Sequence, residues 1–538
     1  MMPSRQNRAP ARHAAFALLA LAPTLLTPAL LALPASPAQA QSVTIAGASP
    51  VASADPHISN TASNNALGLH VFDRLVLQDA AGNLRPGLAT EWRAVSDRVW
   101  EFRLRPGVKW HDGRDFTADD VAFTFERLPN AQGGFVSAVR PIARVEMPDP
   151  LTLRVETKQP WPLLPSDLAN IAIIARHAVR DAKPEDFNNG KAAIGTGPFR
   201  LVSYRSGDRI ELERNDAYWG DKAHWSKVHY RMITSDAART AALLAGDVDA
   251  IDQVPTSDLK RLRDDKRINV AETVGLRLIY LAMDQGNEGD SPFVTGPDGQ
   301  KLGRNPLRDA RVRKALSIAI DRQAIAARVM EDATVPTGQV MAAGTTGYVP
   351  DLPAPKPDPE AAKKLLAEAG YPQGFRITIH GPNDRYMNDA RIIQAVGQMW
   401  TRIGVRTQVD AQPFTAFIAR ASRGDTSVHL MGLAATSGEA STMLRALLAT
   451  QDKELGTGAS NRGHYSNPAF DAKLNEAMRT LDDAKREAIL QEATRMAMAD
   501  TGLIPIHIQK NAWALRHGLT IDARADEYTR AQDVRPAD

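Results

Sequence analysis

Residues 375–409 constrain the fold of this chain more than any other segment. Apolar residues alternate over 375–379, as in a β-strand, and then recur at helical spacing over 393–403. A second apolar run begins at Val405, directly after a glycine. A strand, a helix and a strand in this order form a βαβ unit, whose two strands are parallel and joined by a right-handed crossover. The sequence therefore predicts an α/β fold that contains a parallel sheet.

Periodicity and capping residues predict further elements on either side of this unit. A helix is predicted over 66–77, with Asp73 and Arg74 on its exposed side. Asp358 is the predicted N-cap of a helix that begins with a proline, the residue type favoured at the first helical position. The apolar run over 503–508 predicts a final strand.

The first forty residues have the pattern of an export signal. Three arginines precede an apolar stretch over 14–33, which is followed by Ala-Gln-Ala at 38–40. A basic start, an apolar middle and small residues at the end are typical of a secretory signal peptide. The alternative is an uncleaved anchor, because about twenty apolar residues can span a bilayer. We expect cleavage of residues 1–40 after Sec-type export, so that the mature chain begins at Gln41 in the periplasm.

Charge and cysteine content exclude several classes of protein. The chain of 538 residues has 65 basic and 62 acidic residues and no cysteine. The excess of three basic residues lies within the predicted signal peptide, so the mature chain is balanced and has no basic stripe for nucleic acid. Without cysteine there is no thiol nucleophile, thiolate metal site or lipidated cysteine.

Motifs for catalysis and cofactor binding are also missing. The sequence contains no Gly-x-Ser-x-Gly, no His-Glu-x-x-His and no Walker loop, and its twelve histidines lack the spacing of metal ligands. We therefore expect neither an enzyme nor a metal or cofactor site. An exported hydrolase is the alternative, since a pair of acidic residues can form a catalytic site without a recognisable motif.

The loop over 381–388 is the first candidate ligand site. Open α/β sheets bind ligands beyond the carboxyl ends of their strands, and this loop follows the first strand of the βαβ unit. Arg385 could grip a carboxylate with two hydrogen bonds, and Tyr386 could pack on a ligand while its hydroxyl bonds to it. Asn388 adds an amide. The alternative is that Asp384 and Arg385 pair with each other in a plain turn.

A second candidate loop, over 434–439, follows a predicted strand at 427–433. Thr436 and Ser437 are small, so that backbone amides could approach a ligand, and Glu439 could receive an ammonium group. The alternative is a helix start: Ser437 or Glu439 would precede a helix over 440–449 and interact with its N-terminal dipole.

Several motifs resemble those of a known family. The strongest match runs from Pro86 to Val121 and includes Trp110-His111-Asp112-Gly113. Further matches are Gly195-Thr196-Gly197-Pro198-Phe199, Tyr218-Trp219-Gly220, Arg311-Val312-Arg313 and Tyr465-Ser466-Asn467-Pro468. Over essentially the whole mature chain, the sequence resembles the family 5 extracellular solute-binding proteins, the dipeptide, oligopeptide and nickel class of ABC importer receptors.

This resemblance implies an α/β, two-lobed periplasmic-binding-protein fold of the Venus-flytrap type, with an extra subdomain inserted in the first lobe. The implied segments are lobe I at 41–75, the inserted subdomain at 76–195, lobe I and the hinge at 196–282, lobe II at 283–500 and a return to lobe I at 501–538.

The resemblance also implies a function. A periplasmic receptor of this class would capture a small zwitterionic solute, with peptides as the leading class, and deliver it to the transmembrane subunits of an ABC permease. It would be a monomer that is not embedded in the membrane after processing. A receptor for an opine, a glutathione-like conjugate or a nickel chelate is the alternative within the class.

Two site residues follow from the resemblance. In dipeptide-type relatives an arginine in the loop corresponding to 381–388 holds the peptide carboxylate, which implies that role for Arg385. Those relatives hold the ammonium group with an aspartate after a Gly-Trp pair. Here Gly432 is followed by Leu433, and Glu439 is the acidic substitute.

Overall fold

The computed structural model describes residues 41–537, so the predicted signal peptide at 1–40 lies outside the described residues. Strands and helices are interspersed along the chain. The strands are β1 (Ser42–Gly47), β2 (Val76–Gln78), β3 (Leu84–Pro86), β4 (Ala89–Ser96), β5 (Val99–Leu104), β6 (Ile142–Asp149), β7 (Thr152–Thr157), β8 (Phe199–Arg205), β9 (Arg209–Arg214), β10 (Lys227–Met232), β11 (Ala250–Ile251), β12 (Ile268–Met283), β13 (Val294–Thr295), β14 (Thr334–Pro336), β15 (Arg376–Pro382), β16 (Arg406–Gln412), β17 (Val428–Ala434), β18 (Ile504–Arg516), β19 (Leu519–Ile521) and β20 (Val534–Pro536).

The α-helices include both long amphipathic elements and single turns. They are α1 (Ala62–Val71), α2 (Ala118–Arg127), α3 (Val136–Val139), α4 (Leu164–Leu168), α5 (Arg176–Val179), α6 (Pro184–Asn188), α7 (Asp236–Ala245), α8 (Thr256–Asp264), α9 (Ala310–Ile318), α10 (Arg322–Arg328), α11 (Pro359–Glu368), α12 (Asp389–Arg402), α13 (Phe414–Ser422), α14 (Ala440–Leu447), α15 (Pro468–Ala477) and α16 (Asp483–Ala499). None of the helices within 41–537 combines the length and apolar character needed to cross a membrane.

One large sheet connects the two lobes. Its main path has the order β13-β15-β17-β12-β18-β11-β1-β10-β9-β8, while β14 pairs with β18 and β16 pairs with β15. The two long central strands, β12 and β18, are antiparallel neighbours. Strands β11, β1 and β10 lie on one side of them in the first lobe, and β17 and β15 lie on the other side in the second lobe. We call β12 and β18 the hinge strands, because both lobes are built on them.

The hinge strands change register where the lobes meet. Val274 pairs with Lys510, but the next paired residue on β12 is Leu278, which faces Ile508. The extra residues form a bulge that begins at Gly275. A Cβ on Gly275 would lie 2.7 Å from the backbone oxygen of Gln509, so the close approach of the two strands requires glycine there.

The βαβ unit predicted at 375–409 is confirmed. Strand β15 runs parallel to β16, with Arg376 beside Arg406 at one end and Pro382 beside Gln412 at the other. Helix α12 lies between them in the sequence and buries its apolar face against the sheet. The indole of Trp400, fully buried on this face, donates a hydrogen bond to the Leu316 carbonyl at 2.9 Å.

A separate antiparallel sheet of four strands, in the order β4-β5-β7-β6, lies within the segment predicted as the inserted subdomain. Its buried residues form one apolar cluster with residues of α14, α15 and α16 in the second lobe. At the boundary, the Arg445 guanidinium lies 5.2 Å from the ring centre of Trp161. The exact limits of the subdomain remain a prediction.

The expected exposure of Asp73 and Arg74 is wrong. Helix α1 ends at Val71, and the chain then continues into β2. Asp73 is buried and accepts hydrogen bonds from the hydroxyl of Thr196 at 3.0 Å and the indole of Trp219 at 2.7 Å. Arg74 is also buried and donates to a backbone carbonyl. The Gly-Thr-Gly-Pro and Tyr-Trp-Gly motifs therefore fold back over the segment that follows α1.

The predicted final strand is too short. Strand β18 begins at Ile504 but continues to Arg516, because it crosses from the second lobe into the first. Two further strands, β19 and β20, then pair with each other. The predicted N-cap is confirmed: the Asp358 carboxylate accepts the Ala361 N–H at 2.9 Å, at the start of α11.

Candidate functional site

A cavity of about 480 Å³ lies between the two lobes, against the hinge strands. The first lobe contributes residues 48–50, 61–63 and 252–254, and the second lobe contributes residues 384–387. An adjoining cavity of about 620 Å³ shares part of this lining and extends along residues 388–391. We call the two cavities together the cleft. The volume of each cavity falls in the range of about 300–1,000 Å³ that is usual for small-molecule sites.

The lining of the cleft follows from strand direction. Strand β1 is parallel to β10 and β11 in the first lobe, and β15 is parallel to β16 in the second. Residues 48–50 follow the carboxyl end of β1, and residues 383–388 follow that of β15. Ligands of open α/β sheets bind beyond such ends, and here the ends from both lobes face one cleft.

Arg385 is an exposed cation of the second lobe's wall and lines both cavities. Its guanidinium carbon lies 5.3 Å from the ring centre of Phe414, and no carboxylate within residues 41–537 lies within 4.0 Å of it. Asp384 instead accepts the backbone N–H of Phe414 at 2.7 Å, where α13 begins. The alternative of an Asp384–Arg385 ion pair is therefore not what the structure shows, and Arg385 has a guanidinium available to a ligand.

The loop that carries Arg385 is held by one buried acid. The carboxylate of Asp389, in the first turn of α12, accepts the backbone N–H groups of Arg385 and Tyr386, both at 3.0 Å. Burial raises the pKa of Asp389, while these N–H groups oppose the shift. These two hydrogen bonds fix the backbone of the loop at residues 385 and 386. The position of Arg385 therefore depends on its backbone contacts, and its side chain is not needed to hold the loop.

Tyr386 lines the cleft and packs against the end of β17. Its hydroxyl donates to the Gly432 carbonyl at 3.2 Å. A Cβ on Gly432 would lie 2.8 Å from the tyrosine ring, so a larger residue there would displace it. Tyr386 therefore lines the cleft, while its hydroxyl already has a partner within the protein.

Asn388 joins the two lobes at the edge of the cleft. Its side-chain amide donates to the Thr256 hydroxyl of the first lobe at 2.9 Å and to the Val329 carbonyl at 2.8 Å. Both amide hydrogens are thus used within the protein. Asn388 lines the adjoining cavity, but its contacts assign it to bridging the lobes.

The structure places Thr436, Ser437 and Glu439 outside the lining of the cleft. Glu439 is buried, accepts the Ser441 hydroxyl at 2.6 Å and lies 3.2 Å from the Arg486 guanidinium. It precedes α14, as the helix-start alternative describes.

The other two residues of this loop are also engaged. The Ser437 hydroxyl lies 2.7 Å from that of Thr442, and the Thr436 carbonyl accepts from Gln78. The two candidate loops therefore do not line one cavity, and the Glu439 carboxylate is buried with a hydrogen bond to each of its oxygens.

An ion pair between the hinge strand β12 and the segment that follows β19 was not predicted from the sequence. Arg277, in the bulge of β12, donates to both carboxylate oxygens of Glu527 at 2.7 and 2.8 Å. Both residues line the cleft. They are 250 positions apart in the sequence, so no local pattern indicates the pair.

Asp252 is a second unpredicted acid in the lining. It accepts the Ala48 N–H at 2.7 Å and the Thr529 hydroxyl at 3.2 Å. Burial raises its pKa, since removal from water disfavours the charged form. Asp252 therefore ties the β1 loop to the C-terminal segment rather than presenting a free charge.

Comparisons with known proteins agree with this geometry. The sequence profile of "Bacterial extracellular solute-binding proteins, family 5 Middle" matches residues 83–454. The dipeptide-binding protein of Escherichia coli K12 is 28% identical over 464 residues, covering 80% of this chain and 82% of that protein. Heme-binding protein A of Haemophilus influenzae is 28% identical over 479 residues, covering 82% of each.

A solved structure confirms the fold. The ABC transporter-associated periplasmic binding protein DppA from Helicobacter pylori, solved with the peptide STSA, superimposes with a TM-score of 0.76 at 22% identity. The match covers 92% of this chain and 98% of that one. The predicted two-lobed periplasmic-binding-protein fold is thus confirmed.

Proposed function

Because this chain belongs to family 5 of the bacterial extracellular solute-binding proteins, we propose that it captures a small zwitterionic solute, in the first place a peptide, for an ABC importer. The observation that carries this proposal is the free guanidinium of Arg385 in a cavity between two lobes. The receptor would act in the periplasm as a monomer, after removal of residues 1–40, and deliver its ligand to the transmembrane subunits.

Arg385 supplies the chemistry of capture. A guanidinium can donate two parallel hydrogen bonds to a carboxylate, which gives both attraction and orientation. The ring of Phe414 lies 5.3 Å from the guanidinium carbon, within the range of a cation–π attraction. When a ligand occupies the cleft, water is displaced and the attraction strengthens with the fall in local dielectric.

Closure of the lobes would complete binding. The hinge strands are the part of the sheet shared by both lobes, and their bulge lies directly behind the cavity. A ligand that contacts Arg385 in one lobe and residues 48–50 in the other binds the closed form better than the open one. That difference in affinity is what shifts the population toward closure.

The relatives support binding over catalysis. The two curated proteins compared above are named as binding proteins, one for dipeptides and one for heme. A binding role is therefore our proposal in preference to the exported hydrolase. An opine or glutathione-like conjugate also carries a carboxylate that Arg385 could hold. Whether a nickel chelate binds is tested by the thermal-shift screen that also tests these conjugates.

The test is a thermal-shift screen of peptides, amino-acid conjugates and metal chelates, since a ligand that binds only the folded state raises the melting temperature. The affinity of each ligand that raises the melting temperature is then measured by calorimetry on the wild type and on Arg385→Met. We expect a loss of about 2–5 kcal/mol for a carboxylate ligand whose ion pair is buried on closure.

Arg402→Met is the matched control. Arg402 is an exposed arginine at the far end of α12 and does not line the cleft. Its substitution should leave affinity unchanged. Equal affinity of the wild type and Arg385→Met would remove Arg385 from the site, and a screen without any stabilising solute would refute the proposed function.

A further inference from the structure

Positive charges outnumber negative charges in the cavity between the lobes, once the charged residues that are already paired within the protein are set aside. Six charged side chains line it: Arg277, Arg385, Lys510, Asp252, Asp384 and Glu527. Arg277 and Glu527 satisfy each other through two short hydrogen bonds. Asp252 is held by partners within the first lobe and is buried. Two cations, Arg385 and Lys510, and one acid, Asp384, remain in the lining without such partners.

The remaining acid is a weak candidate for a ligand contact. Asp384 is exposed, and one of its oxygens accepts the Phe414 N–H at the first turn of α13. A carboxylate at the N-terminus of a helix is stabilised where it is by the helix dipole. It therefore neutralises the charge of Arg385 only in part. It forms no ion pair with Lys510 on the hinge strand β18.

Lys510 is the cation that the proposed peptide carboxylate does not use. It lies on β18, paired with Val274, at the last position before the bulge. Lys510 is partly buried as a residue, and its ammonium donates one hydrogen bond, at an exposed position, to the Asp332 carbonyl at 2.9 Å. An ammonium has three donors, so two remain. Within residues 41–537, no carboxylate lies within 4.0 Å of it.

We propose that the ligand carries two anionic groups, one received by Arg385 and the other by Lys510. The two cations belong to different walls of one cavity, the loop after β15 and the hinge strand β18. The ligand class is thus an acidic peptide or another amino-acid derivative with two carboxylates. This assignment deepens the proposed function and rests on it.

The physical reason is the cost of enclosing an unpaired cation. A ligand with a single carboxylate would leave Lys510 without a counter-charge when the cleft closes and water leaves. An uncompensated buried charge is strongly unfavourable, whereas a second carboxylate would turn that cost into attraction. Binding should therefore discriminate by charge at the second group more than by its shape.

The experiment is calorimetric titration with two pairs of probes of nearly equal shape. L-alanyl-L-glutamate is compared with L-alanyl-L-glutamine, and glutarate with its monoamide. All titrations use one salt concentration, because screening weakens exposed attractions. We expect the doubly anionic member of each pair to bind at least about tenfold more tightly.

Substitutions then locate the second group. Lys510→Met should weaken L-alanyl-L-glutamate about tenfold and change L-alanyl-L-glutamine by less than about twofold, whereas Lys510→Arg should restore most of the discrimination. Lys453→Met, at an exposed lysine outside the cleft, is the matched control and should change neither. If Lys510 only supports the Asp332 carbonyl, Lys510→Met should weaken the binding of both peptides equally. That result would overturn the proposal.

The outcomes separate this inference from the proposed function. If both members of each pair bind equally well, the second anionic group is refuted while a carboxylate-binding receptor stands. If none of the four probes binds, the ligand class with two anionic groups is refuted, whereas the proposed function is still decided by the thermal-shift screen. If the charged members bind better but Lys510→Met retains that preference, the role of Lys510 is refuted.

Discussion

Arg385 and Glu439 show, at the scale of single residues, how differently two equally plausible charges can be used. Both follow a strand of the second lobe and both were candidates for binding a charged ligand group. Arg385 is exposed and has no acidic partner in the described part of the chain, so its charge is available. Glu439 is buried, and its two oxygens are occupied by Ser441 and Arg486.

The contacts of Glu439 predict a structural role. Glu439→Gln should lower the free energy of unfolding by about 1–3 kcal/mol, because it removes the acid from a buried guanidinium, while Asp483 remains as the other partner of Arg486. Affinity for the ligand should not change. Chemical denaturation and calorimetry on the same variant measure the two effects.

Asp483→Asn is the matched comparison for this prediction. It removes the exposed partner of the same arginine and should cost less than about 1 kcal/mol, because surface ion pairs contribute little. A Glu439→Gln variant with unchanged stability but weakened ligand binding would instead assign Glu439 to the ligand's ammonium group.

At the scale of elements, the bulge in β12 decides how the lobes are joined. It places Gly275 against the backbone of β18 and Arg277 in the cleft wall. Long antiparallel strands without a bulge would continue one regular twist through the sheet. The bulge increases the local bend at the place where closure must occur.

Gly275→Ala tests this packing. The added Cβ would meet the Gln509 carbonyl at 2.7 Å, so we expect a loss of about 1–3 kcal/mol in the free energy of unfolding, measured with urea. Gly289→Ala is the control, since a Cβ there has no neighbour within 4 Å. A Gly275→Ala variant as stable as the control would show that the hinge strands can separate without cost.

At the scale of the whole molecule, buried histidines make stability depend on pH. Burial lowers their pKa from 6.5, to about 4 for His57, His70 and His111 and to about 3 for His429 and His507. The unfolded chain therefore takes up protons near pH 6.5 that the folded chain does not. Stability is retained above pH 6.5 and is lost as the pH falls toward the folded values.

We predict that the free energy of unfolding decreases between pH 6.5 and 5, by up to about 2 kcal/mol for each such histidine. Asp167 opposes this trend, because burial raises its pKa to about 6 and so favours the folded chain at low pH. Urea titrations should show that the free energy of unfolding of His507→Gln depends less steeply on pH than that of the wild type. The same dependence for His517→Gln, at an exposed histidine, should match the wild type. A wild-type stability that is flat over this interval would contradict the prediction.

The sequence by itself determined the features that depend on neighbours in the chain. Alternation and helical spacing over 375–409 predicted the βαβ unit, and Asp358 predicted a helix start, because both are set within a few residues. The motif from Pro86 to Val121 identified the family. The loop after β15 was also found from strand direction alone, which is why Arg385 could be proposed as a site residue.

The tertiary structure alone decided which charges are free. Arg277 forms an ion pair with Glu527, and Asp73 accepts a hydrogen bond from Trp219. The ammonium of Lys510 bonds to a backbone carbonyl and has no carboxylate partner among the described residues. The partners in all three cases are far apart in the sequence. No periodicity records such contacts, because a side chain's partner is set by how the strands and lobes pack. The balanced charge of residues 41–538 therefore says nothing about the ligand, whereas the unpaired Arg385 and Lys510 are the basis for proposing a ligand with two anionic groups.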